Sequence, residues 1–131
     1  MTVPVAIGWA TVELDRAARE LQSRLPAGAA FVAAPPSLVL GARCRIATAT
    51  RPGDPRLVLL EPATEGRLAA SLARHGEGWL VAWSPTGSRA PIGSSAATAW
   101  RPGPLGDEAL DPGSPVRGPH RLWLAPATIG P

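Results

Sequence analysis

Apolar positions recur along this chain with two periods. Residues 4–14 alternate as a strand does: Gly8, Ala10 and Val12 share one face, and Ile7, Trp9, Thr11 and Glu13 share the other. Asp15 stands where a helix N-cap belongs, and Leu14, Ala18, Leu21 and Leu25 follow at helical spacing until Pro26-Ala27-Gly28 ends the run. Residues 31–37 are ambiguous, a short strand running into Pro35-Pro36. Residues 38–50 read better as a strand, with Ala42, Cys44, Ile46 and Thr48 on one face and Arg43, Arg45 and Ala47 on the other. Arg51-Pro52-Gly53-Asp54-Pro55 is a turn by composition. Residues 56–62 form a nearly continuous apolar run, as in a strand buried on both faces, and pair with the preceding strand as a hairpin.

Residues 64–75 carry the clearest helical signal. Thr64 suits the N-cap, Glu65 the first turn, Arg74 and His75 the last turn, and Gly76 the position beyond. Leu68 and Leu72 give a thin apolar stripe, so one side faces water. Residues 79–83 return to strand alternation, with Trp79, Val81 and Trp83 on one face. Residues 87–89 read as a turn, 94–100 as a small-residue strand and 120–125 as a last strand. Between them, residues 101–119 read as one long loop, a length that often marks a lid or a binding loop. Few helices and many strands predict an α+β domain with a curved, mostly antiparallel sheet.

At 131 residues, 45% hydrophobic and 18% charged, the chain makes one globular domain, residues 1–131. A single cysteine, Cys44, excludes an internal disulfide and a thiolate metal cluster, and two histidines leave little for an imidazole-built metal site. No apolar run approaches the roughly 20 residues of a membrane span, and the first residues lack a basic-then-apolar order, so a cytoplasmic protein is expected. The high isoelectric point, about 10.9, accompanies a net charge of only +3. All 13 cationic residues are Arg, spread from Arg16 to Arg121 without a run, which argues against nucleic acid. An Arg-, Ala- and Pro-rich chain without Lys suggests a GC-rich bacterial genome. Five of the six aromatic residues are Trp.

The phrase Leu59-Leu60-Glu61-Pro62, a helix, then Arg74-His75-Gly76-Glu77-Gly78 and a strand resembles methylmalonyl-CoA epimerase and its glyoxalase-like relatives in the vicinal oxygen chelate superfamily. Ile7-Gly8-Trp9-Ala10-Thr11-Val12 followed by Asp15-Arg16-Ala17-Ala18 resembles that family's opening strand and helix. The resemblance covers residues 5–83. It implies paired βαβββ modules forming a cupped sheet: module one over residues 4–63, a connecting helix over 64–76, and module two over 79–126. It also implies a substrate chelated to a divalent metal and proton transfer beside a carbonyl. The places of the family's metal ligands fall on Ile7, Val58, Leu80-Val81 and Leu122-Trp123-Leu124, all apolar, and apolar side chains cannot hold a divalent metal. No metal and no other cofactor is therefore expected. Residues 84–91 leave no room for the second-module helix, so that module reads as truncated. A bare sheet face favours a homodimer or a flap from the long loop.

In the family the ligand face is the concave one. The resemblance thus puts Trp9, Thr11, Glu13, Val58, Trp79 and Trp83 inside, with Gly8 and Ala10 against the helix. Arg43 and Arg45 join them, because Cys44 and Ile46 suit the helix-packed side. Trp100 and Trp123 are further ligand candidates of open parity. A Trp-walled cup with Arg at its base suits a small molecule that is flat, apolar and partly acidic. The plainer alternative makes the Trp residues core and the Arg residues a solvated face. Catalytic candidates are Glu13 as general base, Arg43 polarising a carbonyl and His120 at the pocket mouth. Glu61 reads as a structural anchor, His75 as a dipole-stabilising cation and Cys44 as a small buried hydrophobe. The expected function is a metal-independent enzyme of bacterial secondary metabolism. It would isomerise, cyclise or dehydrate a polyketide-like or acyl-thioester substrate. Alternatives are an antibiotic-binding, resistance-type protein without catalysis, or a structural dimer with an empty cup.

Overall fold

The computed structural model describes residues 4–85, 100–111 and 120–125. In chain order these form β1 (Ala6–Ala10), α1 (Leu14–Leu21) running into a 3₁₀ turn (Gln22–Arg24), β2 (Phe31–Ser37), β3 (Ala42–Ala47), β4 (Arg56–Pro62), α2 (Arg67–His75), β5 (Gly78–Pro85), β6 (Arg101–Gly103), β7 (Gly106–Leu110) and β8 (His120–Leu124). The strands make one mostly antiparallel sheet in the order β2-β3-β4-β1-β5-β8-β7-β6, with parallel pairs at β1–β4 and β5–β8. The sheet curls until its ends nearly meet: the Leu38 N–H, just after β2, donates to the Pro102 carbonyl of β6 at 3.2 Å. The result is the expected α+β cup, drawn almost into a barrel. No helix among the described residues is long and apolar enough to cross a membrane.

Several local expectations shift. Strand β3 begins at Ala42, because residues 38–41 make the turn back from β2, with Gly41 at φ 67°. Pro35-Pro36 does not stop β2 but shifts its register against β3 between Ala34 and Ser37. Helix α1 starts at Leu14, so Asp15 lies in its first turn and Glu13 holds the cap position. Helix α2 starts at Arg67 rather than at Thr64, because Gly66 turns the chain at φ 124°. The loop expected over 101–119 is, over its first part, a β6–β7 hairpin pairing Arg101 with Glu108 and Gly103 with Gly106. Residues 112–119, the turn at 87–89 and the strand at 94–99 lie outside the described residues, as does most of the stretch read as lacking a second-module helix.

The two faces carry different cores. On the outer face α1 packs Leu14, Ala17 and Leu21 on Leu59, flanked by Trp9, Phe31 and Trp79. The inner face carries Ala6, Ala10, Ala42, Cys44, Ile46, Val58, Leu60, Val81, Trp83 and Leu122, with Leu68 and Leu72 of α2 packed into it. The alternation in β1 and β3 is as read, but the sides are reversed. Gly8 faces inward because Leu60 and Trp83 already fill its space: a Cβ there would lie 2.5 Å from Leu60 Cδ1 and 3.0 Å from the Trp83 ring. Trp9 turns outward and supplies the bulk that the small residues of α1 need. Trp79 joins it, because β5 skips a residue against β1, setting Val81 opposite Gly8 but Trp79 opposite Trp9.

Candidate functional site

The inner face holds two polar clusters within its apolar lining. The first centres on His120, the opening residue of β8, which is fully buried and lies opposite Val81 of β5. Its Nε2 is 2.6 Å from Ser71 Oγ, a hydroxyl that α2 turns inward beside Leu68 and Leu72. Its Nδ1 is buried and has no hydrogen-bond partner among the described residues. Burial, followed by the positive charges of Arg67 and His75, holds the imidazole below the usual histidine range. It is therefore neutral at physiological pH. A groove of about 240 Å³ runs beside Ser71, lined by Arg67, Ala70 and Arg74, residues at helical spacing on one side of α2.

The second cluster centres on Glu108 of β7, also fully buried. Ser37 Oγ donates to its Oε2 at 2.5 Å and Trp83 Nε1 donates to its Oε1 at 2.9 Å, so one carboxyl joins β2, β5 and β7. Ser37 Oγ in turn accepts the Leu40 N–H. Burial raises the carboxyl of Glu108, while the two donors act against the rise. A Cβ on Gly103 would run into the Glu108 carboxyl, so β6 carries glycine there. Cys44 lies in the same interior, its thiol pushed up to about 12 by burial.

Of the residues expected to line the cup, Val58, Trp83 and His120 face inward. The others do not join them. Glu13 is exposed and lies 4.0 Å from the Arg16 guanidinium. Thr11 is buried in the turn before α1, where its hydroxyl bonds Glu13 backbone groups. Arg43 is exposed and pairs with Glu61, and Arg45 pairs with Asp15 of α1, because β3 presents both to the outer side. Trp9 and Trp79 meet edge to face on the outer side, with ring centroids 5.1 Å apart. Trp100 stands half-buried before β6, and Trp123 half-buried on the outer face of β8, opposite Ser84 and Ala109. Glu61 accepts the Leu14 N–H at 3.1 Å and anchors the start of α1.

The open Trp-walled cup is thus corrected. Trp83, Leu60, Leu122, Glu108 and His120 fill the inner face and are almost wholly excluded from solvent. A metal does not fit this lining. On the four strands that carry the family's ligands, the inward residues are Ala6, Val58, Val81 and Leu122, all buried and apolar. Ile7, the expected position on β1, points outward. Among the described residues no group of three or more His, Cys, Asp and Glu converges. Sequence reasoning missed Ser37, Ser71 and Glu108. The Gly103 to Gly106 turn followed by alternating Glu108 and Leu110 is the hairpin signal that points to the last.

No protein-family model matches the chain, and no curated protein sequence does. Solved structures do resemble it. A variant of Streptomyces coelicolor methylmalonyl-CoA epimerase, in complex with 2-nitronate-propionyl-CoA, is 18% identical with a TM-score of 0.67, over 100% of this chain and 99% of that one. The Mycobacterium tuberculosis methylmalonyl-CoA epimerase is 18% identical with a TM-score of 0.70, over 95% and 87%. A methylmalonyl-CoA epimerase in complex with methylmalonyl-CoA and NH4+ is 19% identical with a TM-score of 0.68, over 98% and 97%. The likeness is one of fold. It extends over the second module, where the sequence shows none: the chain has the glyoxalase-like, vicinal oxygen chelate fold.

Proposed function

We propose that this chain is a metal-independent enzyme of the glyoxalase fold that moves a proton beside the carbonyl of an acyl thioester. The orphaned nitrogen of His120 carries the proposal. A buried polar atom without a partner costs about 1–3 kcal/mol, and such atoms concentrate where a ligand completes the site. With Nε2–H donating to Ser71 Oγ, Nδ1 presents a bare lone pair on a neutral ring, which is the form a general base requires. Arg67 stands close enough to act on the charge state of His120, so its guanidinium supplies the positive field that an enolate oxygen needs in place of a metal. Arg67 and Arg74 enter no ion pair among the described residues and suit the anionic part of a thioester seated in the groove. Such a substrate reaches the imidazole past Ser71 by displacing α2, whose residues in the inner apolar cluster are, among the described residues, Leu68 and Leu72. The substrate class is supported by the solved epimerases, one of which holds methylmalonyl-CoA.

The test is exchange of the C2 proton of methylmalonyl-CoA in D2O, followed by NMR with and without a chelator. The expected result is exchange insensitive to chelation and about 10²–10⁴-fold slower in His120→Gln. Exchange abolished by the chelator, or unchanged in that variant, overturns the reading. Thioester binding without exchange favours the non-catalytic binding protein instead.

A further inference from the structure

We infer that the outer face carries a second ligand site, a pocket for a small planar aromatic acid bearing a hydrogen-bond donor. The pocket encloses about 290 Å³ between the 3₁₀ turn after α1 and the β3–β4 turn. That is the lower end of the range for small-molecule sites, roughly 300–1,000 Å³. Its floor is apolar, made by Ile7, Leu57 and the ring of Trp79. The Trp79 ring is already set, because Trp9 meets it at an interplanar angle of 82°. A wall fixed in this way loses little conformational freedom when a flat ligand lies against it.

The rim supplies the charge. The Arg24 guanidinium lies 5.8 Å from the Trp79 ring centroid, and Arg51 stands at the same mouth, its one side-chain hydrogen bond among the described residues a long 3.4 Å contact to the Ser23 carbonyl. Among the described residues Arg24, Arg51 and Asp54 enter no ion pair. Two guanidinium groups with most of their donors unspent converge on one opening, the arrangement that recognises a carboxylate. Asp54, on the same rim, offers only acceptors and asks the ligand for an N–H or O–H. Two cations against one carboxylate select a monoanion. The site is independent of the thioester reading, since none of its residues belongs to the His120 cluster or its groove.

Anthranilate has the required ring, carboxylate and amine, with benzoate and aniline each lacking one feature. Titration into the ¹⁵N-labelled protein is followed through the tryptophan indole N–H signals, with Trp79 assigned by its loss in Trp79→Phe. Anthranilate is expected to move the Trp79 signal saturably, benzoate to bind more weakly and aniline not to bind. Arg24→Gln and Arg51→Gln should each weaken anthranilate about tenfold, the loss of one charge-assisted hydrogen bond. Neither variant should alter proton exchange on the thioester. A Trp79 signal that stays fixed, or equal affinity in the Arg24→Gln/Arg51→Gln double variant, overturns the site. Benzoate binding as tightly as anthranilate overturns the role of Asp54.

Discussion

Replacing Glu108 by Gln should stabilise the protein as the pH rises. The carboxyl is fully buried, and both of its oxygens accept hydrogen bonds, from Ser37 and Trp83. Burial raises its folded value above the ordinary 4.5. The sign follows from linkage: a raised carboxyl favours the fold below its unfolded value, and that contribution is lost as pH rises through the folded one. Between the two values the loss is about 1.4 kcal/mol per pH unit. Glutamine does not titrate. Its carbonyl can accept from Trp83 Nε1 and its amide can donate to Ser37 Oγ, so both contacts survive. Glu108→Gln should therefore match the parent near its unfolded value and exceed it at neutral pH and above. Glu108→Ala instead strands two buried partners at about 1–3 kcal/mol each and opens a cavity, so it should lose at least about 3 kcal/mol throughout. Urea unfolding at about pH 5 and about pH 8, followed by tryptophan fluorescence, measures all three proteins. A gap between Glu108→Gln and the parent that does not widen with pH would refute the reasoning.

Gly8→Ala should cost about 1–3 kcal/mol or more, because the new methyl enters the space of Leu60 and Trp83, and thermal unfolding would register the drop. Cys44 should resist a thiol reagent in the folded protein at neutral pH and react fully in denaturant, since its thiol is buried and pushed up to about 12. His120 should give the acid side of the stability curve a slope opposite to that of Glu108. Its folded value is lowered, so the parent loses stability as pH falls below the unfolded value of about 6.5. His120→Gln should flatten that limb when unfolding is measured across it.

Much of the architecture was legible because it rests on local periodicity. The alternation in β1 and β3 correctly sorted Gly8 from Trp9 and Cys44 from Arg43. It did not say which set faces inward, since a period of two is symmetric about the sheet. The side was settled by a residue far along the chain: Trp83 fills the room that Gly8 leaves. The skipped residue in β5 has no local signature, and it moved Trp79 to the outer face. The β6–β7 hairpin was hidden by its Pro and Gly density, and with it Glu108. Ser71 and His120 lie 49 positions apart, and their contact exists only because α2 folds onto the inner face.

The seam where the sheet ends approach each other has a meaning for the crowded cell. Among the described residues strands β2 and β6 are the two edges of the sheet, and an unpaired edge is a template for strands of other chains. Both edges carry proline, Pro35 and Pro36 on β2 and Pro102 on β6; because successive amides of a strand point to opposite sides, one of the β2 prolines and Pro102 each remove an amide from the row a foreign strand would use. The same missing amides work against the two edges zipping together along their length, and among the described residues the Leu38 to Pro102 bond and the Glu108 carboxyl join the ends. Incomplete closure of the barrel and protection from edge-to-edge aggregation are thus two results of one sequence choice.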